Sequence, residues 1–424
     1  MFQVYGASQN KQVKELPKNL LFISPHFPFP PTEGGMIRTY SLVMALCQGW
    51  AIHYVPLRNS GDPFLEPPNI NLSKSISNFT LEWFDLPAKI NFVERMRAQP
   101  RLRFFLALGD LCYGLQKHWK IRQFVSEKLQ SRQFDVLLFD YTKMAHHAAL
   151  IGGRDVIKIV NTHNVESDVA RQTMVEQSRG LVKAGHWLRW KLYETYERLF
   201  LSKCDFLLAS SQADADFYRK LAPNINAVVI PNAVDTDILQ TLAPPEEPHS
   251  VIFPGRMDYP PNFQAVHIFC QEILPRVAVI FPSVRFYIVG KNPPESVRKL
   301  ASDRVVVTGF VEDMLPFWRK AAALVVPLSI GGGTRIKILE AMALGRPVIS
   351  TSKGCEGLEV IHEKHLLIAD DPERFAEHVI RVLKNPEEYF EMSRAARKLV
   401  EEKYSFAAIG NLLLRTLEDT VSEP

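Results

Sequence analysis

Cysteine is scarce in this sequence: five residues in 424, Cys47, Cys112, Cys204, Cys270 and Cys355, each alone in its stretch and without a C-x-x-C pair. An odd, dispersed set supports neither a disulfide framework nor a zinc site and reads as free thiols in a reducing compartment. No run reaches the roughly 18 uninterrupted apolar residues that a membrane-spanning helix needs. The polar start SQNKQVKELPKN also lacks the apolar centre of a secretory signal, so a cytoplasmic protein is expected. A formal net charge of +4 is too small to imply a nucleic-acid partner. No short internal repeat or low-complexity tract is present, which sets repeat architectures aside.

What the sequence has is alternation. The chain is too long for one ordinary core, and apolar, β-rich runs alternate with helical patterns nearly from end to end. LLFIS (20–24), AIHYVPL (51–57), FDVLLFD (134–140), VIKIV (156–160), DFLLAS (205–210) and AVVIP (227–231) come first. LAPPEEPHS (242–250), with three prolines and no apolar period, marks a linker. SVIFPG (250–255), a helix over 262–280, VRFYIVG (284–290), RVVVTG (304–309), ALVVPL (323–328), PVIST (347–351) and LLIAD (366–370) follow. The pattern predicts an α/β protein of two doubly wound units, 1–242 and 250–403, each with a parallel sheet covered on both faces. A last amphipathic helix over 404–420 could pack on either. Charge is uneven: between Lys89 and Arg132 ten Lys/Arg stand against three Asp/Glu among aromatics. Such a segment suits an anionic membrane surface, and solvated helix faces give the same composition.

The stretch IGGGTRIKILEAMALG (330–345) follows the strand pattern ALVVPL and precedes helix formers that stop at Gly345 and Pro347. Strand, glycine turn and helix N-terminus together make an anion cradle, because the first helical N–H groups lack partners and glycine lets an anion approach. The same arrangement also serves as a plain turn. Gly34 and Gly35, after the Pro-rich PHFPFPPTE, give a second glycine-opened helix, again either cradle or tight turn.

Six stretches occur in an order that resembles the GT-B glycosyltransferases, specifically the retaining glycosyltransferase family 4: PTEGGMIRT, VNTHNVES, VIPNAVD, FPGRMDYPPN, VTGFVED and the IGGGTRIKILE stretch. The resemblance covers most of the chain and is densest over 251–371. It implies a GT-B fold, two Rossmann-like domains facing a central cleft, with the nucleotide-sugar donor held mainly by the second and the last helix (404–424) crossing back onto the first. A cleft at the carboxyl ends of parallel strands is also where physics places a ligand.

Sugar transfer from a nucleoside diphosphate needs positive charge near the leaving diphosphate. Arg256, directly after VIFPG with Gly255 before it, is expected to reach the phosphates, an inter-domain ion pair being its alternative role. The resemblance implies a lysine six residues later, where Asn262 stands, and Lys337 is the candidate to supply that charge, with Arg335 beside it. Gly333 and Thr334 offer backbone N–H groups. Glu340 matches the second of two glutamates in the family motif and implies a ribose contact; the first falls on Gly332, so the reading of the sugar is expected to be altered. His163, at the end of VIKIVNTH, matches the family's active-site histidine, with Asn164 and Glu166 as weaker neighbours. The pairs Asp214/Asp216 and Asp235/Asp237 look like a helix face and a turn, and neither a metal nor a cofactor is expected.

These residues imply a retaining, metal-independent glycosyltransferase. Its partners would be a nucleotide-sugar donor and a glycan or polyprenyl-linked acceptor in exopolysaccharide or glycolipid synthesis, reached from the inner membrane face. A nucleotide-sugar epimerase of the same architecture and a non-catalytic nucleotide-sugar-binding module are the alternatives.

Overall fold

A computed structural model of the chain describes residues 18–29, 31, 34–59, 78–86, 120–131, 134–151, 156–177, 180–332 and 335–422. Gly333, Thr334 and most of the basic segment 89–132 lie outside the described residues.

The first apolar runs form β1 (Lys18–Ser24), β2 (Trp50–Asn59), β3 (Phe79–Leu81), β4 (Phe84–Leu86), β5 (Val136–Asp140), β6 (Ile157–Asn161), β7 (Phe206–Ala209) and β8 (Ala227–Val229). They lie in the order β3-β2-β1-β5-β6-β7-β8, with β4 also on β2, and the pairings are parallel. The second set is β9 (Ser250–Pro254), β10 (Arg285–Val289), β11 (Val305–Gly309), β12 (Ala323–Val326), β13 (Val348–Ser350) and β14 (Leu367–Ile368). Its order, β11-β10-β9-β12-β13-β14, is that of a dinucleotide-binding sheet. Every residue of β5, β9 and β12 is buried, as expected of parallel strands covered on both faces. Strand order reverses between β1 and β5 and again between β9 and β12, which puts a ligand crevice at the carboxyl ends of those strands.

The helices that matter for the site are α1 (Gly34–Leu46), α2 (Glu166–Gln177), α3 (Gly180–Leu201), α4 (Gln212–Leu221) and α5 (Ile336–Ala343), and a last one, α6 (Phe406–Ser422), ends the described chain. The single helix expected over 262–280 is broken by a π-turn at Phe269–Ile273. Pro275, two residues further on, has no N–H to give to the ladder, and the register shifts ahead of it. Pro260–Ile280 as a whole is long and apolar enough to cross a bilayer, but Phe269, Ile273, Leu274 and Val277 belong to the core under the second sheet.

The linker is fastened down: Leu242 N donates to Leu344 O at 3.0 Å and Glu246 N to Arg319 O at 2.9 Å, and Arg346 Nη1 donates to Ala243 O at 2.9 Å. The last helix turns back, Val234 N donating to Tyr404 O at 2.9 Å. Ile409, Leu413 and Leu417 of α6 then join Leu42, Leu46 and Trp50 in one core. A Cβ on Gly410 would stand 3.1 Å from that of Ala45, so α1 and α6 lie in close contact.

Candidate active site

At the first reversal, β5 ends on Asp140, a fully buried carboxylate that four elements share. Its Oδ2 accepts from Ser24 Oγ of β1 at 2.9 Å and Thr39 Oγ1 of α1 at 2.7 Å. Its Oδ1 accepts from Asn161 Nδ2 at 2.7 Å and lies 2.8 Å from His163 Nε2. Burial alone would push Asp140 up, but His163 and the hydrogen bonds from His163, Thr39 and Asn161 hold it below its ordinary value. His163 is lowered as well, by burial, with Asp140 opposing. The network therefore assigns a neutral imidazole donating Nε2–H to Asp140 and keeping its Nδ1 lone pair.

That lone pair faces the start of α1, 3.4 Å from where a Cβ on Gly35 would stand. The His163 ring stacks on Tyr141 at 3.8 Å between centroids, 12° from parallel. Tyr141 has φ 69, a conformation that costs energy for any residue but glycine and recurs where function holds it. A side chain at position 35 would collide with the Tyr141 hydroxyl, which gives Gly35 a physical reason to be glycine. Next to it Lys143 Nζ lies over the Tyr141 ring at 5.1 Å. Glu166, pushed up by burial, is tempered by Lys143 and Arg189. Its backbone N–H is held by Glu197 Oε1 at 3.0 Å.

At the second reversal, Gly255 and Gly290 follow β9 and β10 with φ 151 in both. A Cβ on Gly290 would collide with the Gly255 carbonyl, so these strand ends touch backbone to backbone. Lys337, in the first turn of α5, donates Nζ to Asn262 Oδ1 at 3.0 Å and sits 3.7 Å above the Phe253 ring. Asn262 in turn donates Nδ2 to Arg256 O at 2.9 Å. The residue standing where a lysine was expected thus holds the lysine that was expected to replace it. Burial, then Arg335, lowers Lys337 well below its ordinary value, with Glu340 opposing. Glu340 is pushed up to about 7 by burial, with Lys337 pulling it back. An amine held in such surroundings gains its proton when an anion arrives.

The Arg256 fork pairs with Asp258 two residues along, Nε at 3.1 Å and Nη2 at 2.8 Å. The pair is nearly half exposed, and an exposed ion pair holds by less than about 1 kcal/mol.

The two halves meet around the glycine turn. Gly331 N donates to Gln172 Oε1 of α2 at 2.7 Å, and a Cβ on Gly34 would stand 3.5 Å from Ile336 Cδ1. The Asn164 amide, with its nitrogen toward them, donates to His163 O at 3.0 Å and Gly332 O at 3.2 Å. His163, Gly34, Gly35, Gly332 and Arg335 therefore lie near one another where the two halves meet, and Gly255 and Glu340 lie beside Lys337 on the second-sheet side. Among the described residues no cluster of three or more His, Cys, Asp and Glu side chains could hold a metal ion. Asp214 is buried against Ser210 Oγ at 2.7 Å, whereas Asp216 pairs outward with Arg219 at 2.8 Å. Asp235 caps its own turn, accepting from Asp237 N and Ile238 N at 3.0 Å.

Asp140, Tyr141 and Gln172 were missed by sequence reasoning. Asp140 had a signal, an acid closing the apolar run FDVLLFD at the strand end; Gln172 had none.

Two family descriptions match the chain in succession: "Glycosyltransferase Family 4" over residues 80–238 and "Glycosyl transferases group 1" over residues 248–385. A 44.6 kDa protein of the cps region of Klebsiella pneumoniae is 28% identical over 164 residues, 37% of this chain and 42% of that protein. The phosphatidyl-myo-inositol mannosyltransferase of Mycolicibacterium smegmatis is 28% identical over 210 residues, 46% of this chain and 53% of that protein. The chain thus spans about half the length of the curated relatives it matches. The sucrose-phosphate synthase of Thermosynechococcus elongatus shares the fold, with a TM-score of 0.69 at 18% identity over 96% of this chain and 100% of that one.

Proposed function

The chain belongs to the group 1 glycosyltransferases of family 4, with the GT-B fold, and from that premise we propose that it moves a sugar from a nucleoside-diphosphate sugar to a glycan or lipid-linked acceptor, with retention and without a metal. The observation that carries the reading is the opposition of two built halves: a buried Asp140–His163 pair at one strand reversal and the Gly255–Asn262–Lys337 cradle at the other. The diphosphate lies at the N-terminus of α5, where helix dipole, Lys337 and Arg256 stabilise its growing charge. Glu340 takes the ribose hydroxyls. His163 presents Nδ1 to the acceptor hydroxyl, orienting it and sharing its proton as the hydroxyl attacks on the face the diphosphate leaves.

The acceptor belongs to polysaccharide or glycolipid synthesis, which the cps-region and mannosyltransferase relatives support. Contact with the inner, anionic membrane face is supported by α3, whose exposed Trp187 stands among Lys183, Arg189 and Lys191.

Incubation with UDP-, GDP- and ADP-hexoses tests the reading. One donor should release its nucleoside diphosphate, faster when membrane lipid extract is added, and Arg256→Ala should slow release at least about tenfold, the worth of one charge-assisted hydrogen bond. Interconversion of sugar epimers without release would make the protein an epimerase, and binding without either would make it a binding module.

A further inference from the structure

Two groups beside Gly332 are not used by the mechanism above. Asp214 stands in the first turn of α4, where Ser211 caps the helix by accepting from Asp214 N at 3.1 Å. Its Oδ2 accepts from Ser210 Oγ at 2.7 Å. The other oxygen, Oδ1, lies 3.6 Å from where a Cβ on Gly332 would stand. From the opposite half, the Arg335 guanidinium lies along the same two glycines: Nη1 donates to Gly332 O, and Nη2 is 2.6 Å from the Cβ position of Gly331. Arg335 is 9% exposed, and its Nε and Nη2 have no acceptor among the described residues.

A buried guanidinium with two idle donors is costly unless something accepts from them. Here the second half of the match is a carboxylate across the same glycine. A bare anion placed between them would be repelled by Asp214, and a cation by Arg335. A sugar hydroxyl suits both, because it donates to the carboxylate and accepts from the guanidinium at once. Two neighbouring hydroxyls would use Nε and Nη2 as a fork. A glutamate at 332 would put a second carboxylate against Asp214, so a glycine there fits the arrangement.

We propose that Asp214 and Arg335, one from each half of the cleft, form the pair that reads the donor sugar, and that the sugar they select is a neutral hexose. The proposal rests on the donor reading given above and goes beyond it by assigning the sugar contacts.

Calorimetric titration of UDP, GDP and ADP, and of UDP-glucose, UDP-glucuronic acid, GDP-mannose and ADP-glucose, tests it in wild type, Asp214→Asn, Gly332→Glu and the double variant. Asn keeps the shape and the Ser210 bond. In Asp214→Asn the preferred nucleotide hexose should lose at least tenfold in affinity, while the free diphosphate stays within twofold of wild type. Gly332→Glu should weaken hexose binding, and adding Asp214→Asn should restore part of it, because an amide pairs with the glutamate that a carboxylate repels. Equal losses for free diphosphate and nucleotide hexose, no loss for the hexose, or tighter binding of UDP-glucuronic acid than of UDP-glucose would each overturn the pair. If no nucleoside diphosphate binds the wild type, the donor reading itself falls and the proposal with it.

Discussion

His163 was legible because a polar residue closing an apolar strand run in a motif-like setting stands out. What orients it did not stand out: Asp140 closes a different run, and nothing in one dimension joins residues 23 apart across the sheet. The carboxylate fixes the imidazole tautomer, so Asp140→Asn should keep free-diphosphate binding and lower transfer about 10²- to 10⁴-fold, the span of a general acid–base contribution. Asp140 also raises the histidine's pKa against burial, so its removal leaves His163 neutral to still lower pH. The acid limb of the rate profile should therefore move to lower pH in Asp140→Asn, and an unmoved limb would show that His163 does not share the acceptor's proton. Arg256 teaches the converse lesson. Its position after β9 was read correctly, but Asp258, two residues on, captures the fork locally, a short-range competition that strand periodicity does not report.

Strands and helices were found because parallel strands buried on both faces leave continuous apolar runs, and helices leave 3.6-residue spacing. The elements that escaped are those without such a signal. Three-residue β3 and β4 are too short to show a period, and the π-turn arises from Pro275 inside an otherwise helical run. The linker was read as one, but its docking was not foreseen: its prolines bar regular structure but not docking, since carbonyls and the remaining N–H groups still find partners. The close approach of β9 and β10 at their carboxyl ends is the element-level feature on which the donor cradle depends. Gly290→Ala forces a Cβ into the Gly255 carbonyl at φ 151, so it should destabilise the fold by more than about 4 kcal/mol, the range of the severest single substitutions. Urea unfolding checks this, and a variant as stable as wild type would mean the two strand ends can separate freely.

Across the whole molecule, two sheets with reversed strand order face one another through α2, the glycine turn and α5, and α6 returns to cover α1. Alternating strands and helices made this two-sheet architecture visible in advance, whereas the return of α6 followed only from the family resemblance, because an amphipathic helix fits either sheet equally well. The site could not be assembled from sequence for the same reason: Asp214 and Arg335 are 121 positions apart in numbering and flank Gly332 only when the halves oppose. The cradle around Lys337 is proposed to hold a diphosphate, and the rest of the site depends on it. Calorimetric titration of UDP, GDP and ADP into wild type and Lys337→Ala decides it. At least one diphosphate should bind the wild type and lose about 10- to 150-fold in Lys337→Ala, the 1.5–3 kcal/mol of a charge-assisted hydrogen bond. Binding of none of the three, or equal binding by the variant, would contradict the account.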